Sequence, residues 1–432
     1  MHDVLDNRDL VPDEAEQLLH SGYPVAHLLA DAREAAAAGD YARLEAISAE
    51  LAATPRDPGW RFVEPDDDAA LTALAGALPT LEVDRDGLAD RVHGAWLGRC
   101  VANTMGKPIE GLTRDEVRIY LEAVSQWPQT GYVPLLDELP AGVSHLHESA
   151  PFAAAGRFDD VPRDDDLDWT ILGLAMLEEQ GGTLTTARVA ASWLDRLPFT
   201  QTFTAERAAY RNLIRGIPAS GAASVGNPYR EWIGALIRAD IHGYVYPGRP
   251  GVAALSALAD ARLSHVGNGV FGELWAASLI SAALAVQSAR EALDIALRSV
   301  PAGSRLAEAL RNVLRLHADG AGPDEALAWI DEELGHYNWV HTINNAALIS
   351  FGLLWGDDFT TSVALTISGG RDTDSSAATV GSVYGALHGT AGIPPELVGT
   401  SHVRVRSAVR DFDRIEIAEL ARRTLALEEA LR

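Results

Sequence analysis

Six carboxylates and a serine, spread over three short stretches of the 432-residue chain, are the side chains best suited to hold a hard cation. In PRDDDLDWTILGLAMLEEQ, Asp164, Asp165 and Asp166 stand just before and within the first turn of a helix whose apolar face is Leu167, Ile171, Leu174 and Leu177. Acidic side chains favour a helix start, where amide hydrogens are unpaired and the dipole is positive. Taken alone, such a start is ordinary capping. In SGGRDTDSSAATVGSVYGALHG, Asp372 and Asp374 are two residues apart and cannot share a face inside a helix. They converge in a loop feeding a helix N-terminus, where Gly369 and Gly370 place them, and alone they read as turn chemistry. The third stretch, DRVHGAWLGRCVANTMGKPIEG, repeats Gly94, Gly98, Ala102 and Gly106 every four residues and ends in Glu110. Each glycine costs a helix roughly 1 kcal/mol relative to alanine, so close packing must offset the stripe. Jointly the stretches say more. Carboxylates within about 4 Å of one another repel by roughly 4 kcal/mol per pair at an effective dielectric near 20. Either they lie apart, or a cation such as Mg²⁺, which takes carboxylate, hydroxyl and water oxygens, sits among them together with Ser375.

The elements that carry these residues read as helices. Alanine is frequent, β-branched alternation is scarce, and apolar residues recur at three- and four-residue spacing between Gly/Pro punctuation. The spacing predicts helices over Val92 to Met105, Asp168 to Glu178, Leu274 to Ala289, Ala326 to Leu334, Ser375 to Leu387 and Ile415 to Leu431. Residues 1–85 form a separate helical extension, with two helices meeting at Gly39-Asp40 and a Pro/Asp-rich linker from Pro55 to Asp68. Residues 86–432 form one large all-α domain. Small residues Ser376, Ala377, Gly381 and Gly385 behind the late aspartates leave room for a neighbouring helix.

Composition narrows the function. With 61 acidic and 35 basic residues the formal charge is −26, and no Lys/Arg-rich stretch offers the footprint that a nucleic acid requires. The longest nearly apolar run, Leu274 to Val286, falls short of the roughly 20 residues of a membrane span. The acidic amino terminus lacks a signal-peptide pattern, and the expected setting is cytoplasmic. The single cysteine, Cys100, excludes an intrachain disulfide and a thiolate cluster, so any metal is held by oxygen or imidazole. Lys107 is the only lysine, every other basic residue being arginine, a bias that a GC-rich genome explains. Dinucleotide, P-loop, HExxH and GxSxG signatures are absent.

The order of these motifs, a glycine-rich helix with a trailing Glu, an Asp-Asp pair opening a helix and a late GG-x-DTD-S opening another, resembles the ADP-ribosylglycohydrolase family and is similar to the dinitrogenase reductase-activating glycohydrolases. The likeness runs from about Asp90 to Gly392. It implies an all-α orthogonal multi-helix bundle with a two-Mg²⁺ centre that hydrolyses an N- or O-glycosidic bond of ADP-ribose. Carried onto this chain, Asp165, Asp166, Asp372, Asp374 and Ser375 become metal ligands, and Glu110 the carboxylate beside them. Departures mark a divergent branch. The family's Thr-Asp-Asp-Thr is Asp164-Asp165-Asp166-Leu167, its Gly-Asp pair is Ala102-Asn103, and Arg371 is inserted before the DTD. Asp164 or Asp168 is left to restore the ligand count, and Asp164 joins the expected ligand set.

Glu110 and Asp165 are the expected catalytic carboxylates, Glu110 as the base or the group that positions water. His265 with Asn268, and His341 with Asn345, resemble family elements near the substrate, and Asp240 and His242 are further pocket candidates. Arg371 is expected to help compensate a pyrophosphate. The expected partner is an ADP-ribose-like or ribosylated small molecule, with ADP-ribosylated protein in the wider reading. Two other readings stand beside it: a hydrolase of a small ribosylated metabolite or nucleoside, and a catalytically silent member acting as a binding or structural protein.

Overall fold

The computed structural model describes residues 5–432. Among them are 23 α-helices and a single two-stranded sheet, the hairpin Arg404–Val405 with Ile415–Glu416, so the chain is all-α. No helix among the described residues is long and apolar enough to cross a membrane.

The centre of the molecule is the crossing of helix Leu88–Gly106 with helix Thr373–His388. The glycine stripe explains how closely they approach. A Cβ added to Gly98 would lie 2.2 Å from the Gly381 carbonyl oxygen, and one on Gly385 would lie 2.0 Å from that of Gly94. Backbone therefore packs on backbone, and Gly106 meets Thr373 in the same way. This crossing brings the end of the first helix, and Glu110 beyond it, against the start of the DTDS helix.

Two backbone stitches fix the register there. Gly111 N–H donates to the Arg371 carbonyl (2.9 Å), and Arg371 N–H donates to the Leu112 carbonyl (2.9 Å). Arg371 adopts φ +68°, and Gly370 before it adopts φ +66°, where an added Cβ would lie 2.6 Å from the Leu112 carbonyl oxygen and 2.8 Å from the Thr113 carbonyl carbon. A third stitch holds the loop before Asp164: Val161 N–H bonds the Arg404 carbonyl and Arg406 N–H bonds that of Val161.

Several element boundaries differ from the sequence-based expectation. The acidic-start helix begins earlier than Asp168, at Asp165, because Asp164 caps it through the Asp166 N–H (3.0 Å). The run expected over Leu274 to Ala289 is instead Gly267–Ala283, followed after a break by Ala289–Ala296, which Ser288 caps. Ile415 and Glu416 belong to the hairpin, and the last helix starts at Ile417.

At the amino-terminal end, helices Asn7–His20, Ala26–Ala38 and Tyr41–Ala53 share their own core, including Val11, Leu28, Leu44 and Ile47. Helix Asp68–Gly76 does not belong to it, because Leu71 and Ala75 enter the main core. The intervening Pro/Asp-rich segment is bound along its length. Val63 N–H bonds the Gly303 carbonyl, Glu64 pairs with Arg305 (2.8 Å), and Asp66 takes Arg262 (2.5 Å) and the Gly267 N–H (2.8 Å).

Candidate active site

The three acidic stretches converge. Ligand atoms of Asp164, Asp166 and Asp374 lie within 4.8 Å of one another, as do those of Glu110, Asp372 and Asp374, so Asp374 belongs to both groups. Asp164 and Asp166 are oriented by Asn103, whose Nδ2 donates to Asp164 Oδ1 (3.1 Å) and Asp166 Oδ2 (3.0 Å). Ser375 Oγ donates to the same Asp166 oxygen (3.3 Å). The departure Ala102-Asn103 thus supplies an amide that holds two acids in place. Asp168 turns away: its carboxylate takes Arg163 Nε (2.7 Å) and Ser407 Oγ (2.7 Å), anchoring the chain after the hairpin strand Arg404–Val405. Asp164, not Asp168, therefore stands in the cluster.

The cation that touches most of these acids is Lys107. Its Nζ is 2.6 Å from Asp164 Oδ2, 2.7 Å from Glu110 Oε2 and 2.8 Å from Asp374 Oδ2. The sequence reading missed it, although its being the sole lysine was the available signal. Burial opposes its charge, but the charges of Asp164, Asp374 and Glu110 prevail and raise its pKa well above the usual value. Burial, then neighbouring acids, push Glu110, Asp166 and Asp372 well above the carboxylate range. The same two causes raise Asp165, which faces the cavity, to about 7. Asp164 is driven the other way, since the Lys107 charge and a side-chain hydrogen bond with Asp166 outweigh its burial.

Above this floor opens a cavity of about 350 Å³ with Phe203, Trp232, Ile233 and Trp339 among its walls and Glu110, Asp165, Asp372, Asp374 and Ser375 on its acidic side. His147, also unremarked in the sequence, stands at the rim with Nδ1 3.4 Å from Glu110 Oε2 and 2.8 Å from Ser149 Oγ. Burial and the Lys107 charge lower its pKa to about 4, so it is neutral at pH 7.

The expected substrate-binding residues lie elsewhere, and this corrects their placement: none of His265, Asn268, His341, Asn345 and Arg371 lines the cavity. His265 is fully buried against Ser264 (2.8 Å) and near Glu206. Asn268 clasps Glu231 and Glu64 (2.9 Å each). His341 caps helix Thr342–Trp355 through the Ile343 N–H and stacks on Tyr337. Asn345 donates to the Trp339 carbonyl (2.8 Å) and accepts from Ser376 (3.1 Å), so it braces a wall from behind. Arg371 pairs with Asp331 (2.8 Å) and lines not this cavity but the adjoining one, which shares Gly111 and Trp339 with it. Asp240 and His242 are buried too, bound to Arg99 (2.9 Å) and Ser256 (2.8 Å). A polar residue at a helix start is needed for capping as often as for ligation, and the distant partners that decide between the two are invisible in local sequence.

The donor set fits a hard cation. All its members are oxygens, and Asp374 Oδ1, buried and without a hydrogen-bond partner, is the kind of acceptor that a cation satisfies.

Comparison with known proteins follows the same line. The model of the ADP-ribosylglycohydrolase family matches residues 84–431, and the chain belongs to that family. It is accordingly an enzyme of the glycosidic-bond hydrolase type, in a metal-dependent family that acts on ADP-ribosylated substrates. A solved structure described as an "ADP-ribosylglycohydrolase-related protein complex" is similar at 20% identity and a TM-score of 0.46, over 80% of this chain and 100% of that one. No curated protein matches.

Proposed function

We propose that this enzyme hydrolyses a ribosyl glycosidic bond, N- or O-linked, in ADP-ribose or a related ribosylated compound, with Mg²⁺ held by the carboxylate floor. The observation that carries the reading is the pair of acid groups joined at Asp374 beneath a cavity with aromatic walls. Asp164, Asp166, Asp372, Asp374 and Ser375 would hold the cation, which supplies charge to orient ribose hydroxyls and to acidify water. Asp165 stands beside them on the cavity face. With a cation beside it to restore its charge, Glu110, held in place by Lys107, would accept the proton of the attacking water, while Asp165 is the candidate donor to the leaving group. Trp232, Trp339 and Phe203 offer flat apolar faces to a ring and exclude water from the bond to be cleaved.

A second reading concerns the acceptor of that chemistry. The cavity lining carries six carboxylates, Glu206 among them already paired with Arg238, and no arginine; its one lysine is shared by two of those acids, Glu110 and Asp374, and by Asp164 behind them. A pyrophosphate there meets like charge, which favours a small, phosphate-free riboside. A hydrolysis screen with ADP-ribosyl-arginine, O-acetyl-ADP-ribose and free nucleosides, in Mg²⁺ and in EDTA, separates the two. Turnover in Mg²⁺ that EDTA abolishes supports the proposal, and the preferred substrate decides between the readings. Inertness toward the whole panel would favour the silent, binding role.

A further inference from the structure

We infer that the Lys107 ammonium is a built-in cation that takes the place of one divalent ion, so that this centre binds a single divalent ion where the family resemblance implies two. The inference rests on the reading of the carboxylate floor as a cation site. Its starting point is where the lysine stands. Glu110 belongs to one acid group, Asp164 to the other and Asp374 to both, and Nζ is within 2.6 to 2.8 Å of all three. The ammonium therefore occupies the junction of the two groups.

Residue type supports the assignment. An ammonium is a compact point charge whose three donors spread in space, whereas a guanidinium is a planar fork suited to one carboxylate at a time. The chain uses arginine at every other basic position, including its buried ion pairs at Arg99, Arg238 and Arg305. Its one lysine, only 7% exposed, is spent where three acids from three segments meet. Lys107 does not use every oxygen. Asp374 Oδ1 has no partner and Asp166 Oδ1 has no hydrogen bond, and these two acids, which share one group, remain for one ion. The local charge also argues against a second one. A divalent ion sharing Asp164, Asp374 and Glu110 with the ammonium meets a fixed positive charge at ligand distance. Lys107 is thus a positioning residue: it pins Glu110 to the cluster and contributes charge that no chelator removes.

The test is Mn²⁺ binding to the full chain, counted by equilibrium dialysis and read by electron paramagnetic resonance, for the wild type, Lys107→Met and Lys107→Arg. The wild type is expected to bind one Mn²⁺ per chain with the spectrum of an isolated ion. Lys107→Met is expected to bind two and to show the exchange-coupled spectrum of a dinuclear site, and Lys107→Arg, which keeps the charge, to stay at one or fewer. Two coupled ions in the wild type overturn the inference while leaving the cation site intact. No ion in the wild type overturns the cation site itself, and the inference with it. A folded Lys107→Met that still binds one ion also overturns it. Should that variant fail to fold by circular dichroism, the wild-type count and spectrum decide.

Discussion

Glu110 shows how one side chain can have its role set by its neighbours. It follows a short helical turn that ends helix Leu88–Gly106, and is held by Lys107 at 2.7 Å with His147 at 3.4 Å. If it takes the proton of the attacking water, Glu110→Gln keeps shape and hydrogen bonding but cannot accept that proton. Turnover should fall by about a hundredfold or more, with Mg²⁺ and substrate affinity within a few-fold of wild type, because the lost interaction is needed only in the transition state. Steady-state rates beside calorimetric titrations check this, and unchanged turnover removes Glu110 from the chemistry. The acids at Asp164 to Asp166 and at Asp372 to Asp374 were legible only jointly: each helix start alone reads as capping or turn chemistry, and it is their combination with Glu110 that points to a shared cation. Lys107 was not legible, since a composition bias toward arginine hides what a single lysine means. Asp168 was a fair alternative to Asp164 until Ser407 and Arg163 were seen to claim it.

Among the elements, the crossing of helices Leu88–Gly106 and Thr373–His388 does the positioning. The four-residue glycine stripe announced close packing, and the small residues behind the DTDS motif identified the partner surface. The site is only as well placed as this contact. A methyl group on Gly381 would lie 2.2 Å from the Gly98 carbonyl oxygen and 2.6 Å from the Ala102 Cβ, with no flexible side chain to yield. Gly381→Ala should therefore destabilise the fold by about 3 kcal/mol, the upper end of ordinary overpacking. Because the helices must separate, it should also weaken Mg²⁺ binding although it touches no ligand. Chemical denaturation checks the first effect, and wild-type stability in the variant would show that the contact is looser than described. Boundaries were less legible than the elements themselves: Ser288 looks like one more small residue in an apolar run until its capping of Ala289–Ala296 is seen.

For the whole molecule, the lesson concerns the amino-terminal part. The expected boundary at residue 85 rested on the Pro/Asp-rich stretch looking like a free linker. Its acids instead find basic partners far along the chain: Glu64 with Arg305, and Asp66 with Arg262. Local composition cannot reveal pairings across some two hundred residues. We propose that the separable unit is the three-helix bundle ending at Ala53, and that the segment after it belongs to the main body. The bundle is tied to that body through Gln17 to Glu231 (2.7 Å), Glu14 to Arg230 (2.6 Å), the His20 carbonyl to Arg305 (3.0 Å) and Leu10 packed with Ala205, Tyr229 and Trp232. A chain starting at Pro55 should keep its fold and bind Mg²⁺. One starting at Asp84 loses Leu71 and Ala75 from the core together with both acid partners. It should be less stable than the chain starting at Pro55 by at least about 3 kcal/mol, on the scale of deleting a buried leucine. Equal urea midpoints for the two truncations would favour the expected boundary at 85.

The central claim is that carboxylates from three distant segments form one cation site on the floor of the cavity, and Asp374, the member common to both acid groups, carries most of its weight. The most direct measurement is the Mg²⁺ isotherm of Asp374→Asn beside that of the wild type. The substitution keeps the shape and removes a charge. Affinity should fall by at least about a hundredfold, or roughly 2.7 kcal/mol, and hydrolysis should fall with it. Undiminished Mg²⁺ binding in a folded Asp374→Asn would contradict the account.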